Sequence, residues 1–221
     1  MKRYIFSLAL LMCSSSLHAT CRLSGYEVNY VFYGKNGKAI GNHTETLTLD
    51  KHKYTLNGNS KMQILWFKEQ LNTTVTGTYQ QNTFLPSSYR FHEARKNTNI
   101  AYTIHKGKSD TSSAILNCRI ALLKKYPSCN QHIQYAPNGK SFPFSMDLSK
   151  LKHEKLSTAI GTLNTVKLPV KSKGNMTITY WLAKKYGYLP VKISGYHQGR
   201  IAFTETISSY TPENSAYCAV N

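Results

Sequence analysis

Acidic residues are scarce in this chain. Only 10 Asp and Glu residues stand against 28 Lys and Arg residues, and the formal net charge is +18. A chain this basic favours anionic surroundings such as lipid headgroups, lipopolysaccharide or nucleic acid. The lysines are scattered, and no arginine-rich tract or recognition motif is present. We therefore expect no nucleic-acid partner.

The local motifs of catalytic and metal sites are missing as well. The sequence has no G-x-S-x-G, no C-x-x-C and no two histidines spaced two or four residues apart. No two acids are placed in sequence like a glycosidase pair, although such partners can be distant in the chain. The sequence predicts a protein that is not an enzyme and that holds no metal or other cofactor.

Glu205 interrupts an apolar strand face. An acid pointing inward would be a functional candidate. We interpret it instead as a charge on an edge strand, where it would discourage aggregation.

The N-terminus has the order of an export signal. Lys2 and Arg3 precede an apolar run from Tyr4 to Met12, and small or polar residues follow as far as Ala19. The run is too short to span a bilayer, and no other run approaches the ~20 apolar residues of a membrane helix. We predict a signal peptide over residues 1–19 and a single β-rich domain over residues 20–221, periplasmic or secreted.

A lipoprotein is the alternative for this terminus. Lipid attachment would require a cysteine right after a small residue at the end of the apolar region. Cys13 comes too early, and Cys21 follows Thr20 behind His18. A soluble mature protein starting near Thr20 is favoured.

Four cysteines remain after removal of the signal: Cys21, Cys118, Cys129 and Cys218. An even count in an oxidising compartment suggests two disulfides, for which three pairings exist. We favour Cys118–Cys129, which closes a short loop. We also favour Cys21–Cys218, which would tie the ends together if the first and last strands are neighbours. Free or metal-binding thiols are the alternative.

Period-two alternation of apolar and polar residues predicts many antiparallel strands. The pattern is clearest from Thr177 to Tyr210, where we expect three consecutive strands with tight connections. Asn57-Gly58-Asn59 is expected to be a turn and Gly161 a bend. The other predicted strands cover residues 26–33, 41–50, 53–56, 63–69, 73–80, 88–93, 100–104, 131–135, 141–146 and 156–170. Short strands separated by turn signals are typical of an all-β sandwich or barrel.

One segment has helical spacing instead. Asp110-Thr-Ser-Ser113 offers caps, and apolar residues then recur at helical intervals until Pro127. We predict a short helix near residues 113–126, with a strand as the competing interpretation.

Several blocks together carry a family resemblance. They are a Tyr-rich first strand, Ala39-Ile-Gly41, the strand at Pro86, Ile160–Lys167, Tyr180-Trp-Leu-Ala183 and Gly187–Ile193. The chain resembles the exported bacterial proteins known as domain of unknown function 3108, over most of its mature length and most specifically after Gly161. Asp110 and Arg119 loosely match an acidic, apolar, arginine-ended stretch of that family. The four-cysteine arrangement is not a feature of the family.

The resemblance implies a periplasmic, mainly antiparallel β protein. Its fold would be a strongly curved sheet or incomplete barrel with one short helix near residues 113–126. In outline it is similar to the lipoprotein-carrier and lipid-binding half-barrels of the bacterial envelope. The family brings no established activity and no catalytic residue.

Aromatic side chains on strands are the candidate ligand-lining residues. The chain has 16 Tyr, 8 Phe and 2 Trp residues. Amphipathic rings suit a lipid or glycan in a curved sheet; the alternative is that they form the core. The candidates are Tyr30, Trp66, Tyr102, Tyr180 and Trp181.

The leading hypothesis is a noncatalytic periplasmic protein that binds or carries an amphipathic envelope component: lipid, lipopolysaccharide or lipoprotein. The alternative is an interaction or scaffold module with a solid core and an envelope protein as partner. An uncharacterised hydrolase is third.

Overall fold

The computed structural model describes residues 23–64, 67–171 and 176–213, and these form thirteen strands and one α-helix. The predicted signal peptide, Cys21, Cys218 and Trp66 lie outside the described residues. The helix, α1, is Thr111–Leu123, and short 3₁₀ helices occupy Leu148–Lys150 and Lys184–Tyr186. The strands are β1 Tyr26–Gly34, β2 Ala39–Asp50, β3 Lys53–Ile64, β4 Phe67–Gln80, β5 Thr83–Glu93, β6 Thr98–Thr103, β7 Ser128–Gln134, β8 Ser141–Asp147, β9 His153–Thr158, β10 Gly161–Lys171, β11 Met176–Ala183, β12 Leu189–His197 and β13 Arg200–Pro212.

Eleven of these strands form one antiparallel sheet in the order β6-β5-β4-β3-β2-β1-β13-β12-β11-β10-β9. β7 and β8 form a separate hairpin. The first and last of the described strands pair with each other, with Tyr30 opposite Ile207. This is the arrangement on which the predicted Cys21–Cys218 pairing depends, and that disulfide itself stays a prediction. The β1–β13 pair joins the two halves of the sheet.

The sheet curls strongly around its interior. β9 touches β13, although four steps separate them in the sheet order. α1 packs on β5 and β7 inside the curve. Within the described residues β6 and β9 are the free edges, so the barrel is incomplete. The predicted fold class, a curved antiparallel sheet with one short helix, is confirmed.

α1 begins at the predicted cap. The Asp110 Oδ1 atom accepts from the Ser112 and Ser113 amides at 2.9 and 3.1 Å, which satisfies two of the donors that a helix N-terminus leaves free. The helix ends at Leu123, three residues before the predicted end. The predicted Cys118–Cys129 disulfide is present and joins α1 to β7.

α1 is buried around most of its circumference. Leu116 and Ile120 belong to a core cluster with Tyr26 and Val28, whereas Ile115 belongs to a second cluster with Ile133, Phe144 and Leu168. A helix that is apolar on several sides must be covered on several sides. The large sheet and the β7–β8 hairpin provide that cover.

The predicted turn at Asn57-Gly58-Asn59 is wrong, because β3 continues through it to Ile64. Gly58 is paired on both sides, with Glu45 on β2 and Thr73 on β4. A Cβ atom there would lie 2.5 Å from Thr73 Oγ1. This glycine permits close packing inside a strand and does not end it. The predicted strand over residues 63–69 consequently covers the end of β3 and the start of β4.

The Thr177–Tyr210 block forms three consecutive strands as predicted, β11 to β13. Gly161 lies at the turn between β9 and β10 with φ 111°, a conformation that suits glycine. The edge-strand interpretation of Glu205 is wrong, because β13 lies between β1 and β12 in the middle of the sheet. The strand's place depends on long-range pairing, which local alternation does not reveal.

Candidate functional site: a cavity between α1 and the curved sheet

A cavity of about 220 Å³ lies between α1 and six neighbouring strands of the sheet, β3, β2, β1, β13, β12 and β11. We call it the α1 cavity. Its walls combine aliphatic, aromatic and charged side chains. They are Tyr26, Tyr30, His43, Glu45, Leu56, Ser112, Ile115, Leu116, Arg119, Ile178, Tyr180, Pro190, Ile193, Phe203 and Glu205.

Arg119, Tyr26 and Glu45 in the cavity wall are joined by hydrogen bonds, and we call this group the Arg119 end of the cavity. Arg119 is only 1 % exposed. Its Nη1 donates to the Tyr26 hydroxyl at 3.1 Å and its Nε to the Gly187 carbonyl at 3.1 Å. The Tyr26 hydroxyl in turn donates to Glu45 Oε1 at 2.7 Å. Because Tyr26 connects the guanidinium to a carboxylate, this end is close to neutral in charge.

The Arg119 guanidinium also makes a cation–π contact with the Tyr26 ring, with the guanidinium carbon 5.2 Å from the ring centroid. Burial, and then the Glu45 charge, raise the pKa of Tyr26 well above its usual value. The phenol therefore stays protonated and keeps its donor for Glu45.

Glu205 also lines the cavity but is not joined to that group, and we call its surroundings the Glu205 end. Its cross-strand neighbours are Phe32 on β1 and Ile193 on β12. Glu205 makes no hydrogen bond or ion pair with any residue of the described ranges. It keeps some accessible area because it borders the cavity, while protein atoms surround the rest of it. Burial, together with the charge of Glu45, raises the pKa of Glu205 to about 8.

Three aromatic side chains stand near Glu205. Phe203 lies two residues away on the same strand and stacks on Phe32 at 5.3 Å. Tyr180 is opposite Ile193, the direct neighbour of Glu205. Tyr30 donates its hydroxyl to the Pro190 carbonyl at 2.9 Å, which fixes its ring in the cavity wall.

His43 lies on β2 with its ring 5.7 Å from that of Tyr30. Its Nδ1 is 2.7 Å from Ser60 Oγ. Burial lowers the pKa of His43, and the nearby Glu45 opposes this only in part. At neutral pH His43 is therefore uncharged.

The structure brings two of the five candidate aromatic residues, Tyr30 and Tyr180, to the α1 cavity. Tyr102 instead stacks on Tyr89 at 5.0 Å near the β6 edge, where burial raises its pKa to about 12. Trp66 lies outside the described residues.

Trp181 points away from its neighbour Tyr180, as alternation along a strand requires. Its indole donates to Glu154 Oε1. The Nζ atoms of Lys167 and Lys192 lie 5.1 and 4.7 Å from its ring centroid. Trp181 is a packed core residue and is not part of the cavity wall.

Sequence reasoning did not select the charged residues of the cavity. Arg119 had a signal, because it is the one charged side chain within an apolar helical run. Glu205 had a signal in its apolar strand, but that strand, β13, is central in the sheet and not an edge strand. Glu45 sits on a Thr-rich strand and gave no signal at all.

Among the described ranges, no three His, Cys, Asp or Glu side chains are grouped so that they could hold a metal ion. The helix in the same ranges is neither long nor apolar enough to cross a membrane.

The fold has a counterpart among solved structures. The crystal structure of a beta-barrel-like protein of domain of unknown function DUF1849 from Brucella abortus superposes with a TM-score of 0.55. The match covers 88% of this chain and all of that one, at 6% identity. At this identity the likeness establishes the fold class alone, that of a barrel-like β protein.

A weaker match is the crystal structure of MucB, at 10% identity and a TM-score of 0.38, too low to indicate a shared fold. It covers 88% of this chain, which spans 55% of the MucB chain. No family model and no curated protein matches the sequence. Membership of the 3108 family therefore stays a prediction.

Proposed function

We propose that this protein is a noncatalytic protein of the bacterial periplasm that binds an amphipathic envelope component in the α1 cavity. The single observation that carries the proposal is the cavity itself, since its walls combine aliphatic and aromatic side chains with the charged groups Glu45, Arg119 and Glu205. Such walls suit a ligand with an apolar body and a polar group.

Three further features support this assignment. The Cys118–Cys129 disulfide fits an oxidising compartment such as the periplasm. The net charge of +18 favours contact with anionic envelope surfaces. The resemblance to the 3108 family and to envelope half-barrels points to the same compartment. Lipid, lipopolysaccharide and a lipoprotein acyl group are the candidate ligands.

Native mass spectrometry of the protein purified from the envelope tests the proposal. We expect a bound lipid or glycolipid that is lost in Leu56→Phe, because Leu56 lines the cavity and a larger side chain would fill it. Leu47→Phe is the matched control. Leu47 is the cross-strand partner of Leu56 and is equally buried, but it does not line the cavity.

Both substitutions overpack a buried position, so both are expected to lower stability by ~1–3 kcal/mol. Only Leu56→Phe should release the ligand. A wild-type protein without any co-purifying small molecule would contradict the proposal. Loss of ligand from both variants would show that general destabilisation is the cause.

A hydrolase is a second candidate because Glu205 and His43, which are distant in sequence, border the same cavity. A raised carboxyl pKa near neutrality is a property of general acids. Assays with ester and glycoside substrates test this. Turnover that Glu205→Gln abolishes would favour the hydrolase over the binding protein. The scaffold module has less support, because it requires a filled interior.

A further inference from the structure

We propose that the α1 cavity recognises an aliphatic ammonium group, with Glu205 as its counter-ion and the rings of Tyr30, Tyr180 and Phe203 as its walls. This inference rests on the proposed function and names the polar group of the ligand. It starts from a difference between the two ends of the cavity.

The Arg119 end is already paired. Arg119, Tyr26 and Glu45 are joined by hydrogen bonds of 3.1 and 2.7 Å, so neither charge needs a ligand. The β1 partners of Glu45 and Glu205 are Val28 and Phe32. These positions are four residues apart, about 13 Å along the strand. Glu205 therefore takes no part in the hydrogen-bonded chain of Arg119, Tyr26 and Glu45, although it lies close enough for the Glu45 charge to raise its pKa.

The Glu205 end is unpaired. Its carboxyl group has no partner in the described chain, although it sits beside Ile193 and Phe203 in an apolar wall. A half-buried carboxyl in an apolar wall loses part of its hydration without gaining a partner, which is costly. A ligand that brings a positive charge would offset this cost.

The aromatic rings select the kind of cation. Ring faces attract an ammonium group that has shed part of its water. Tyr30, Tyr180 and Phe203 all border the cavity near Glu205. A carboxylate combined with aromatic faces suits an alkylammonium group better than a neutral hydroxyl or an anion. A carboxylate ligand would face Glu205 and Glu45 together.

The ligand must displace a proton. The other titratable or charged groups facing the cavity are Glu45 and His43 on β2, Tyr26 and Tyr30 on β1, Tyr180 on β11 and Arg119 on α1. Since the pKa of Glu205 is raised to about 8 by burial and by Glu45, most of this carboxyl is protonated at pH 7. Ammonium binding at pH 7 should therefore release about one proton.

Isothermal titration calorimetry with three probes of equal chain length tests the inference: n-octylammonium, n-octanol and n-octanoate. We expect octylammonium to bind wild-type protein most tightly. Its affinity should rise about tenfold from pH 7 to pH 9 as Glu205 ionises. Glu205→Gln keeps the shape but not the charge and should weaken octylammonium at least about tenfold. Glu27→Gln, an exposed position on β1, should change nothing.

Proton release is read from wild-type titrations in two buffers of different ionisation enthalpy, so it does not depend on any variant folding. Absence of proton release at pH 7 would overturn the inference. So would tighter binding of octanol or octanoate that Glu205→Gln leaves unchanged, but that result would leave the proposed function standing. If no probe binds and no envelope lipid co-purifies, both proposals fail.

The ammonium group has two sources, a lipid headgroup or a soluble amine. Displacement of octylammonium by phosphatidylethanolamine vesicles, but not by phosphatidylglycerol vesicles, assigns it to the headgroup. Displacement by 1,5-diaminopentane alone assigns it to a soluble amine. Displacement by phosphatidylglycerol alone would overturn the inference.

Discussion

Asp110 is buried in the protein, whereas Glu205 is half-buried and borders the α1 cavity. Asp110 is 3% exposed and its Oδ1 accepts two helix amides, although its Oδ2 has no hydrogen-bond partner within residues 23–64, 67–171 and 176–213. Glu205 has no partner on either oxygen among the described residues and borders a cavity. Burial raises the pKa of both groups. The role of a buried acid is therefore read from its partners, because burial alone does not separate a helix cap from a ligand site.

The largest expected effect concerns the anchoring of α1, the element that Asp110 caps. The double variant Cys118→Ala, Cys129→Ala removes a disulfide between buried residues 11 positions apart. We expect a loss of about 3 kcal/mol in the free energy of unfolding, because the unfolded chain gains freedom. Urea denaturation measures it. Reduced wild-type protein is the control and should match the variant; a loss below ~1 kcal/mol would contradict the prediction.

The next effect is that of the cap itself. Asp110→Ala removes the acceptor for two helix amides and should cost about 1–2 kcal/mol. Asp147→Ala is the matched control, since Asp147 caps the Leu148–Lys150 turn through the Ser149 amide but is exposed. Urea denaturation should show a clearly smaller loss in the free energy of unfolding for Asp147→Ala than for Asp110→Ala. Equal losses would mean that burial of the cap has no influence.

Local sequence signals predict those parts of the fold that are determined by residues close together in the sequence. The alternation in β11 to β13 and the cap at Asp110 are examples, and both are confirmed. Gly58 shows the limit. Its role depends on the close approach of Thr73 from the next strand, and only the three-dimensional pairing reveals it.

The candidate site was less accessible to sequence reasoning. Tyr30 and Tyr180 lie in the wall of the α1 cavity, because strand aromatics often face the interior. Their role as ligand-lining residues stays a prediction. Glu205 was assigned to an edge because the β1–β13 pairing, which joins residues about 180 positions apart, has no local signature. The cavity arises from the way α1 packs inside the curve, which no strand pattern encodes.

A third prediction concerns the pH dependence of stability at Glu205. The native carboxyl is protonated up to about pH 8, whereas the unfolded one ionises near pH 4.3. Between these values the native state holds more protons, so this group lowers stability as pH rises. Glu205→Gln should remove that decline. Melting temperatures from pH 5 to pH 9 measure it.

Glu27→Gln is the control for this series, because Glu27 is exposed on β1 and should keep the wild-type slope. Asp110→Asn extends the comparison, since the raised pKa of Asp110 gives the same sign. A wild-type slope in Glu205→Gln would contradict the assignment of a protonated interior carboxyl.

The smallest expected change in stability concerns two tyrosine hydroxyls, that of Tyr54 near the Asp110 cap and that of Tyr180 near Glu205. The Tyr54 hydroxyl is 2.8 Å from Ser113 Oγ in the first turn of α1, so Tyr54→Phe should cost about 1 kcal/mol. The Tyr180 hydroxyl makes no hydrogen bond with a described residue, so Tyr180→Phe should stay within ~0.5 kcal/mol of wild type. Urea denaturation of both variants under one set of conditions measures the two losses in the free energy of unfolding.

A large loss in Tyr180→Phe would mean that a bound molecule holds the Tyr180 hydroxyl. After delipidation the wild-type protein and Tyr180→Phe should then be equally stable. The Tyr54 hydroxyl has its partner, Ser113, within the protein. The loss of stability in Tyr54→Phe should therefore be the same before and after delipidation.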